Sequence, residues 1–282
     1  MKVLVTGGTG YLGTHVRHFF GADDYSRRSG RDVLDIEQAT IASEYDMVIH
    51  LAARMDKSQE NEADTFRANI EGTINLLKNI RQDAIFVFAS TKDVYGRFAD
   101  NYSQVNEDCP TVYSGQTPLE WSKLIAERYV EYYANSRHFR SCVFRLSTVY
   151  APASEGNVPN IVGHYAEAIN NGEPIALPAK GLPRRDILHV DDLSRACQAF
   201  SDSVIRHGLY NIGGGVRNAL TLLELIRKME EVSSLQAVID HETEVPPPIP
   251  MNYVSDLTRA DHELGWKPEM KLEDGLKTLF AG

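Results

Sequence analysis

A glycine-rich turn near the start of the chain constrains the fold more than any other feature of the sequence. The stretch VLVTGGTGYLG leads from an apolar segment through Gly7, Gly10 and Gly13 into an amphipathic segment that begins at about Leu12. We expect Gly7 to permit a tight turn, Gly10 to let the backbone approach a pyrophosphate, and Gly13 to let the helix pack close to the strand. The helix N-terminus offers phosphates free N–H groups and a partial positive charge. The stretch therefore predicts a dinucleotide-binding turn, and a tight turn without a ligand is the alternative.

Apolar runs alternate with amphipathic stretches over the first 150 residues. The runs KVLVTG, DMVIHLAA, AIFVFAS and SCVFRLS are rich in Val, Ile and Phe, which is typical of parallel strands covered on both faces. Residues 63–82 and 121–134 place apolar side chains at helical spacing. This alternation predicts an α/β fold with a Rossmann-type doubly wound parallel sheet, formed by a dinucleotide-binding domain over residues 1–150.

The texture of the sequence changes after about residue 150. The stretches APASEGNVPN, NNGEPIALPAKGLP and ETEVPPPIPMN are rich in Pro or Gly and separate short elements. They predict a smaller C-terminal substrate-binding lobe over residues 151–282 that closes over the edge of the sheet. Within this part of the chain, residues 186–215 are expected to return to the Rossmann domain.

The composition excludes several classes of protein. With 43% hydrophobic and 24% charged residues the chain has a globular balance, and no run approaches the ~18 apolar residues of a membrane span. A net charge of −10 disfavours nucleic acid, because a phosphate backbone needs a basic face. Cys109, Cys142 and Cys197 lie far apart and are odd in number, which argues against a disulfide framework or a zinc site. The chain also starts directly in a strand, so we expect a cytoplasmic protein with no metal, membrane or nucleic-acid partner.

The preferred dinucleotide depends on the end of the second predicted strand. An acid there binds the ribose hydroxyls of NAD, whereas an arginine accommodates the extra phosphate of NADP. Ser26, Arg27 and Arg28 occupy this position, and Asp23 and Asp24 lie too early. The pattern slightly favours NADP over NAD, and a pair of solvated arginines is the alternative.

A series of motifs in order makes nearly the whole chain resemble the extended short-chain dehydrogenase/reductases. Members of that family are mainly nucleotide-sugar epimerases, dehydratases and ketoreductases. TGGTGYLG is similar to the family's cofactor turn, RDVLDI to its adenine-contacting motif, VIHLAA to the strand beneath the cofactor, and ASTKDVYG to the strand end that supplies a catalytic Ser or Thr. PLEWSKLIAE resembles the YxxxK helix, RRDILHVDDLSRA and LYNIGGG resemble landmarks of the substrate lobe, and ELGWKP resembles the closing motif.

The resemblance implies a set of cofactor contacts and a catalytic pair. The cofactor contacts predicted from these motifs and from the second strand end are Gly7, Thr9, Gly10, Tyr11, Leu12, Gly13, Arg27, Arg28, Asp32, Val33, Leu51, Ala52, Ala53 and Lys123. In the family, the lysine that aligns with Lys123 hydrogen-bonds the nicotinamide ribose and lowers the pKa of a neighbouring tyrosine. That tyrosine moves a proton to or from a sugar hydroxyl, and the residue that aligns with Thr91 hydrogen-bonds the same oxygen.

Leu119 stands where the family carries this tyrosine. Residues four apart lie on the same face of a helix, so Leu119 and Lys123 are expected to point into one pocket, where leucine has no proton to give. Three alternatives stay open. Another residue supplies the proton, with Asp93, Tyr113 or Lys92 as candidates; the reaction step uses a ligand group or water; or catalysis has been lost. For Tyr113, an ordinary loop aromatic is the competing interpretation.

The resemblance also implies contacts to a substrate. Arg185, with Arg184 beside it, matches a position that holds the diphosphate of a nucleotide sugar, and Asn157 resembles an asparagine that contacts the same region. Bidentate arginine suits phosphate groups. A second arginine that the family often carries near the C-terminus is absent from EVPPPIPMNYV, which departs from the family pattern.

The sequence thus predicts an NAD(P)-dependent nucleotide-sugar epimerase or 4-ketoreductase whose partner is a small-molecule nucleotide sugar. The alternative is a non-catalytic, cofactor-binding regulatory or scaffold subunit derived from such an enzyme. A homodimer is expected, because family members often pair through the helix that carries the lysine and the helix before it. The apolar positions of LIAERYVEYY allow this pairing.

Overall fold

The computed structural model describes residues 1–280 of the chain. Its strands are β1 (Val3–Thr6), β2 (Asp23–Tyr25), β3 (Met47–His50), β4 (Ile85–Thr91), β5 (Arg140–Leu146), β6 (Thr148–Tyr150), β7 (Pro174–Pro178), β8 (Arg184–His189), β9 (His207–Ile212), β10 (Ala219–Thr221), β11 (Val238–Val245) and β12 (Asn252–Tyr253). Its helices are α1 (Tyr11–Phe20), α2 (Glu62–Phe66), α3 (Gly72–Leu77), α4 (Pro118–Arg137), α5 (Ile161–Asn171), α6 (Val190–Asp202), α7 (Leu222–Ser233), α8 (Thr258–Leu264) and α9 (Leu272–Lys277). Within residues 1–280, no helix is both long enough and apolar enough to cross a membrane.

The main sheet of the described residues has six parallel strands in the order β2-β1-β3-β4-β5-β9. Strands β1 and β3 are buried along their whole length, as apolar runs in a doubly covered sheet require. The predicted Rossmann-type doubly wound sheet is confirmed. The chain returns to this sheet after several elements of the smaller lobe, because β9, which follows them in sequence, pairs with β5.

Helices cover both faces of the main sheet. On one face, Val16 of α1 and Leu193 of α6 share a buried apolar cluster with Val5 of β1. On the other face, Val130 of α4 shares a second cluster with Leu4 of β1. Neighbouring residues of one strand thus pack into opposite layers, because strand side chains alternate between the two faces.

The helix predicted over residues 63–82 is interrupted. A π-helical turn at Arg67–Glu71 joins α2 to α3 and contains the buried Asn69. The amide Nδ2 of Asn69 donates to Oγ of Ser122 at 2.8 Å and to the carbonyl O of Arg54 at 3.1 Å, and its Oδ1 accepts from the N–H of Arg54 at 2.8 Å. Turns of this kind are frequent at functional sites. The wider turn coincides with contacts that tie the loop after β3 to α4, and helical spacing alone does not reveal it.

The smaller lobe contains two further sheets and a core of its own. One sheet has the order β10-β8-β12 with β6 beside β8, and the other pairs β7 with β11. Apolar side chains of α5, α7, α9 and β7 form a separate buried cluster. Asp192, at the start of α6, fastens the C-terminal segment to the sheet domain. Its carboxylate accepts from the N–H groups of Glu269 at 2.8 Å and Met270 at 3.1 Å.

Candidate active site

A large cleft opens at the carboxyl ends of the parallel strands, beside the smaller lobe. Its volume is about 1370 Å³, which exceeds the ~300–1,000 Å³ of most small-molecule sites. The turn after β1, the ends of β2, β3 and β4, the start of α4 and the loop after β6 all contribute to its lining. Ligands of open α/β sheets bind in this kind of crevice. The cleft is therefore large enough for more than one ligand.

The glycine turn lines the cleft with bare backbone. Gly7 has a φ of +72°, in the left-handed region that glycine adopts without strain. A Cβ on Gly13 would lie 2.0 Å from the carbonyl O of Gly7, and a Cβ on Gly7 would lie 2.9 Å from the backbone N of Ala52. Gly10 is the N-cap of α1. Side chains would fill this cradle, so the residues present fit the phosphates of a dinucleotide.

At the end of β2, the arginines line the cleft and the preceding acids do not. The carboxylate of Asp24 accepts a hydrogen bond from Oγ of Ser26 at 2.5 Å, and Asp23 is exposed at the start of the strand. Arg27 and Arg28 follow Ser26 and are both exposed at the rim of the cleft. The charge at the strand end is therefore positive on the side that faces the cleft.

Arg28 joins the end of β2 to the smaller lobe. Its Nη2 donates to the carbonyl O of Gly156 at 2.5 Å, and its Nη1 donates to Oδ1 of Asn157 at 2.9 Å. A second tie lies close by, because the hydroxyl of Tyr11 donates to the carbonyl O of Ala151 at 2.7 Å and accepts from its N–H at 2.9 Å. We call the Arg28 contacts the arginine strap. Asn157, predicted as a substrate contact, lines the cleft and is also part of this strap.

The loops after β2 and β3 complete this side of the cleft. Oδ1 of Asp32 accepts from the N–H of Leu34 at 2.9 Å, which fixes the loop after β2. The N–H of Leu51 donates to the carbonyl O of Thr6 at 3.1 Å, which holds the loop after β3 against β1. The cleft is lined by all the predicted cofactor contacts, namely Gly7, Thr9, Gly10, Tyr11, Leu12, Gly13, Arg27, Arg28, Asp32, Val33, Leu51, Ala52, Ala53 and Lys123.

Helix α4 presents Leu119 and Lys123 to the same cleft. The helix begins with a capping box, in which the carboxylate of Glu120 accepts from the N–H of Thr117 at 2.6 Å. Leu119 and Lys123 lie one turn apart and are 3% and 5% exposed. Nζ of Lys123 donates to the carbonyl O of Ala89 at 2.8 Å, and burial lowers the pKa of this amine to about 8.

Four charged side chains meet beside Thr91 at the end of β4, and we call Lys57, Lys92, Asp93 and Glu120 the charged cluster. Nζ of Lys57 lies 2.8 Å from Oε1 of Glu120 and 3.5 Å from Oδ2 of Asp93. Lys92 pairs with the other oxygen of Asp93. The N–H of Asp93 donates to Oγ1 of Thr91 at 3.2 Å. The strand end that carries Thr91 is thus linked to α4 through alternating charges.

Asp93 and the two lysines of the cluster set each other's charge states. Burial raises the pKa of Asp93, but the positive charges of Lys92 and Lys57 outweigh burial and bring this pKa to about 2. Burial lowers the pKa of Lys92 below its ordinary value, although Asp93 opposes the shift. Asp93 is therefore a carboxylate at neutral pH, and the Lys92 amine is easier to deprotonate than an exposed lysine.

Two of the predicted site residues, Tyr113 and Arg184, do not line the cleft. Tyr113 is 67% exposed on its loop, and Arg184 is an exposed residue at the start of β8. Arg185 is 8% exposed and does line the cleft, and its guanidinium donates to the carbonyl O atoms of Pro250 and Met251 at 2.8 Å each. Part of its hydrogen-bonding capacity is thus used to hold the segment before β12.

Two residues that line the cleft, Lys57 and Glu120, and the buried Asn69 that holds the loop after β3 were not predicted from the sequence. Lys57 lies in the loop after β3, where no motif marks it. Glu120 follows Thr117 at the spacing of a capping box, so the sequence signals the helix start and gives no hint of the pair with Lys57. Asn69 is a buried polar residue inside a helical pattern, and that anomaly is a signal that could have identified it.

A family model and three known proteins match the chain over most of its length. Residues 3–213 match the model of the NAD dependent epimerase/dehydratase family. The CDP-paratose 2-epimerase of Salmonella typhi is 27% identical over 99% of this chain and 98% of that protein. The dTDP-4-dehydro-6-deoxyglucose reductase of Escherichia coli is 24% identical over 99% of this chain and 96% of that protein. The solved structure of the Thermus thermophilus UDP-glucose 4-epimerase in complex with NAD is 25% identical, covers 99% of this chain and 97% of its own, and has a TM-score of 0.81.

Proposed function

Because the chain belongs to the NAD dependent epimerase/dehydratase family, we propose that it is an NAD(P)-dependent enzyme that epimerises a nucleotide-linked sugar or reduces its 4-keto form. The observation that carries this proposal is the shared cleft, in which the glycine turn, Thr91 and Lys123 line one space. One relative is named as an epimerase and another as a reductase, which supports both reaction types.

Each group in the cleft has its own task in this proposal. The backbone of residues 7–13 binds the pyrophosphate, Lys123 binds the ribose, and Thr91 holds the reacting sugar oxygen. A nicotinamide cofactor held by these residues would supply hydride transfer. Asn157 and Arg185, which line the cleft, contact the diphosphate of the nucleotide sugar. Leu119 contributes an apolar wall and no proton.

Asp93 and Tyr113 do not suit the task of replacing the tyrosine. Asp93, whose pKa is about 2, has no proton to give at neutral pH. Tyr113 is exposed and lies outside the lining of the cleft. The proton must then come from another group of the cleft or from solvent.

A binding titration of the purified protein with NADH and NADPH tests the proposal first. We expect one of the two to bind with a micromolar dissociation constant, or to co-purify with the protein, because the cradle and the ribose lysine are both in place. Protein fluorescence reports the binding, and extraction with analysis of the nucleotide reports any cofactor carried through purification. A protein that neither binds nor carries a dinucleotide would contradict the proposal.

Arg28→Ala is expected to speed the release of NADH about tenfold, because the arginine strap holds the smaller lobe against the cofactor turn and most changes in affinity appear in the release rate. Arg27→Ala is the matched control, since Arg27 is an exposed neighbour of the same type. Arg27→Ala should leave the rate of NADH release unchanged. It should weaken the binding of NADPH if Arg27 holds the extra phosphate. Stopped-flow displacement measures both rates. Equal NADH release in Arg28→Ala and the wild type would exclude a role for the strap in retention.

A non-catalytic cofactor-binding subunit is the second candidate, and the buried Leu119 favours it. Leu119→Tyr separates the two candidates, because it restores the proton donor of the family one turn before Lys123. A decayed enzyme should gain activity toward UDP-glucose or dTDP-glucose, used as probes. An active site shaped around leucine should lose activity, since added volume in a packed wall costs about 1–3 kcal/mol. Unchanged initial rates with both probes would show that residue 119 does not face the reacting group.

The expected homodimer is also part of the proposal. Helix α4 exposes Ile125, Tyr129 and Tyr132, whose exposed fractions are 38%, 38% and 63%. Apolar side chains on one helix provide a surface that a second copy of the chain can cover. Light scattering of the purified protein distinguishes this dimer from a monomer.

A further inference from the structure

Three of the four members of the charged cluster are committed to other contacts or to one charge state. Glu120 accepts from the N–H of Thr117 at the helix cap and pairs with Lys57. The side chain of Lys57 is 53% exposed and lies against both carboxylates of the cluster. Asp93 is held ionised by the lysines beside it. Lys92 is the remaining member; its amine pairs with Asp93, and burial favours its neutral form.

Lys92 lies at the junction of the sheet domain and the smaller lobe. Its side chain is 8% exposed, and its Nζ lies 5.2 Å from the ring centroid of Tyr253 in β12 while it pairs with Asp93. Lys92 directly follows Thr91, and the N–H of Asp93 donates to Oγ1 of Thr91 at 3.2 Å. Thr91 and Lys92 therefore belong to one turn at the end of β4, and both residues line the cleft.

Lys123 is a second buried amine in the cleft, and its surroundings differ. Its Nζ donates to the carbonyl O of Ala89 and lies 4.8 Å from the ring centroid of Phe88. Ala89 precedes Thr91 by two residues, so this amine reaches the strand before its end. This placement agrees with the task of holding the ribose. Lys92, and not Lys123, is then the amine at the end of β4.

We propose that Lys92 is the catalytic acid–base that replaces the missing tyrosine, an inference that rests on the proposed function. In the oxidation, the O–H bond of the sugar hydroxyl held by Thr91 breaks and its proton goes to the neutral Lys92 amine, which becomes an ammonium. The same sugar carbon loses hydride, with two electrons, to the oxidised cofactor, and a C=O bond forms. In the reverse step the ammonium returns the proton to the carbonyl oxygen as hydride returns to the carbon. Asp93 is a positioning residue that orients the amine.

The surroundings of the amine support this role. Burial favours the neutral form of Lys92, the charges of Arg185 and Lys57 act in the same direction, and Asp93 opposes them. Tyr253 faces the amine from β12 with its ring. A proton-transfer group is most efficient when its pKa lies near the working pH, and these surroundings move the amine toward that range.

The first test measures the ionisation of Lys92 directly and needs no turnover. The ¹⁵N resonance of the Lys92 amine, assigned by its loss in Lys92→Arg, is followed against pH in the cofactor-loaded protein. We expect a midpoint below the ~10.4 of an ordinary lysine, because burial favours the neutral amine. A midpoint at or above the ordinary value overturns the proposal.

The second test compares hydride transfer in the wild type and in Lys92→Arg, with UDP-glucose and dTDP-glucose as probes and NADH absorbance as the signal. Arginine keeps the positive charge beside Asp93 but stays protonated at any working pH. We expect the rate to fall about 10²–10⁴-fold, and the rise of the oxidation rate with pH to disappear. The affinity for NADH should not change. Lys228→Arg, a matched exchange on α7 in the smaller lobe, should behave as the wild type does.

The outcomes separate this inference from the proposed function. A wild-type rate and pH profile in Lys92→Arg overturn the role of Lys92 and leave the proposed function standing. A different result would overturn both the role of Lys92 and the proposed function. In that case the wild-type protein binds NADH and transfers no hydride with either probe, and the Lys92 amine titrates as an ordinary lysine.

Discussion

Lys123→Ala is expected to abolish turnover and to weaken NADH binding at least tenfold. Lys123 is 5% exposed, lines the cleft, and has its Nζ held by the carbonyl O of Ala89 at 2.8 Å, so its direction is fixed before a ligand arrives. A hydrogen bond from a charged group contributes about 1.5–3 kcal/mol, which corresponds to roughly a tenfold to hundredfold change in the dissociation constant. Burial lowers the pKa of Lys123 to about 8, so the charged form is lost as the pH rises through that value. The contribution of Lys123 to NADH binding should fade over the same range.

The measurements for this variant are an NADH titration at several pH values and initial rates with UDP-glucose. Lys78→Ala removes an exposed lysine at the end of α3 and should match the wild type in both. A thermal unfolding curve shows that each variant is folded. Full turnover in Lys123→Ala would mean that neither the binding of the ribose nor the reaction depends on this lysine. The active-site assignment would then be wrong.

Glu127→Ala is expected to lower the free energy of unfolding by about 3–5 kcal/mol, because it leaves a buried guanidinium without its partner. Arg145 is 2% exposed, and its Nε and Nη2 donate to the two carboxylate oxygens of Glu127 at 3.1 and 2.7 Å. Ser90, next to Thr91, donates to the same carboxylate at 2.5 Å. The pair thus supports the strand end that carries the candidate catalytic residues, from beneath the cleft.

Chemical denaturation of Glu127→Ala against Glu131→Ala isolates the effect of burial. Glu131 lies on the same helix and pairs with Arg128 at 3.3 Å on the surface, so its removal should cost less than ~1 kcal/mol. A double variant, Glu127→Leu with Arg145→Met, should be more stable than Glu127→Ala alone, because no buried charge is left unpaired. Equal losses of unfolding free energy in Glu127→Ala and Glu131→Ala would show that the buried ion pair stabilises the protein no more than a surface pair does.

Much of the cofactor half of the site follows from local sequence patterns. The turn through Gly7, Gly10 and Gly13 depends on residues a few positions apart, and its requirement for glycine is visible in the close approach to Gly7 and Ala52. The capping box at Thr117 has the same local character. Contacts between residues that are close in sequence can be predicted from local patterns, without knowledge of the rest of the fold.

The interruption of the helix at Asn69 could not be predicted in this way. The apolar spacing of residues 63–82 is satisfied by a continuous helix, and the π-helical turn coincides with contacts from Asn69 to Arg54 and Ser122. Ser122 is 53 positions further along the chain. Helix periodicity carries no information about a partner that distant.

The sequence by itself determined the fold class, the dinucleotide turn and the pairing of Leu119 with Lys123 on one helix face, because each rests on short-range spacing. Only the tertiary structure decided that Arg28 ties itself to Asn157, 129 positions away, and that Lys57 meets Asp93, 36 positions away. Parallel strands place their carboxyl ends at one edge of the sheet, so side chains from separate loops converge there. Their charges then act on one another in a buried space. For this reason the motif that contains Lys92 and Asp93 supplies candidates for the proton-transfer group, and the choice among them depends on the assembled cleft.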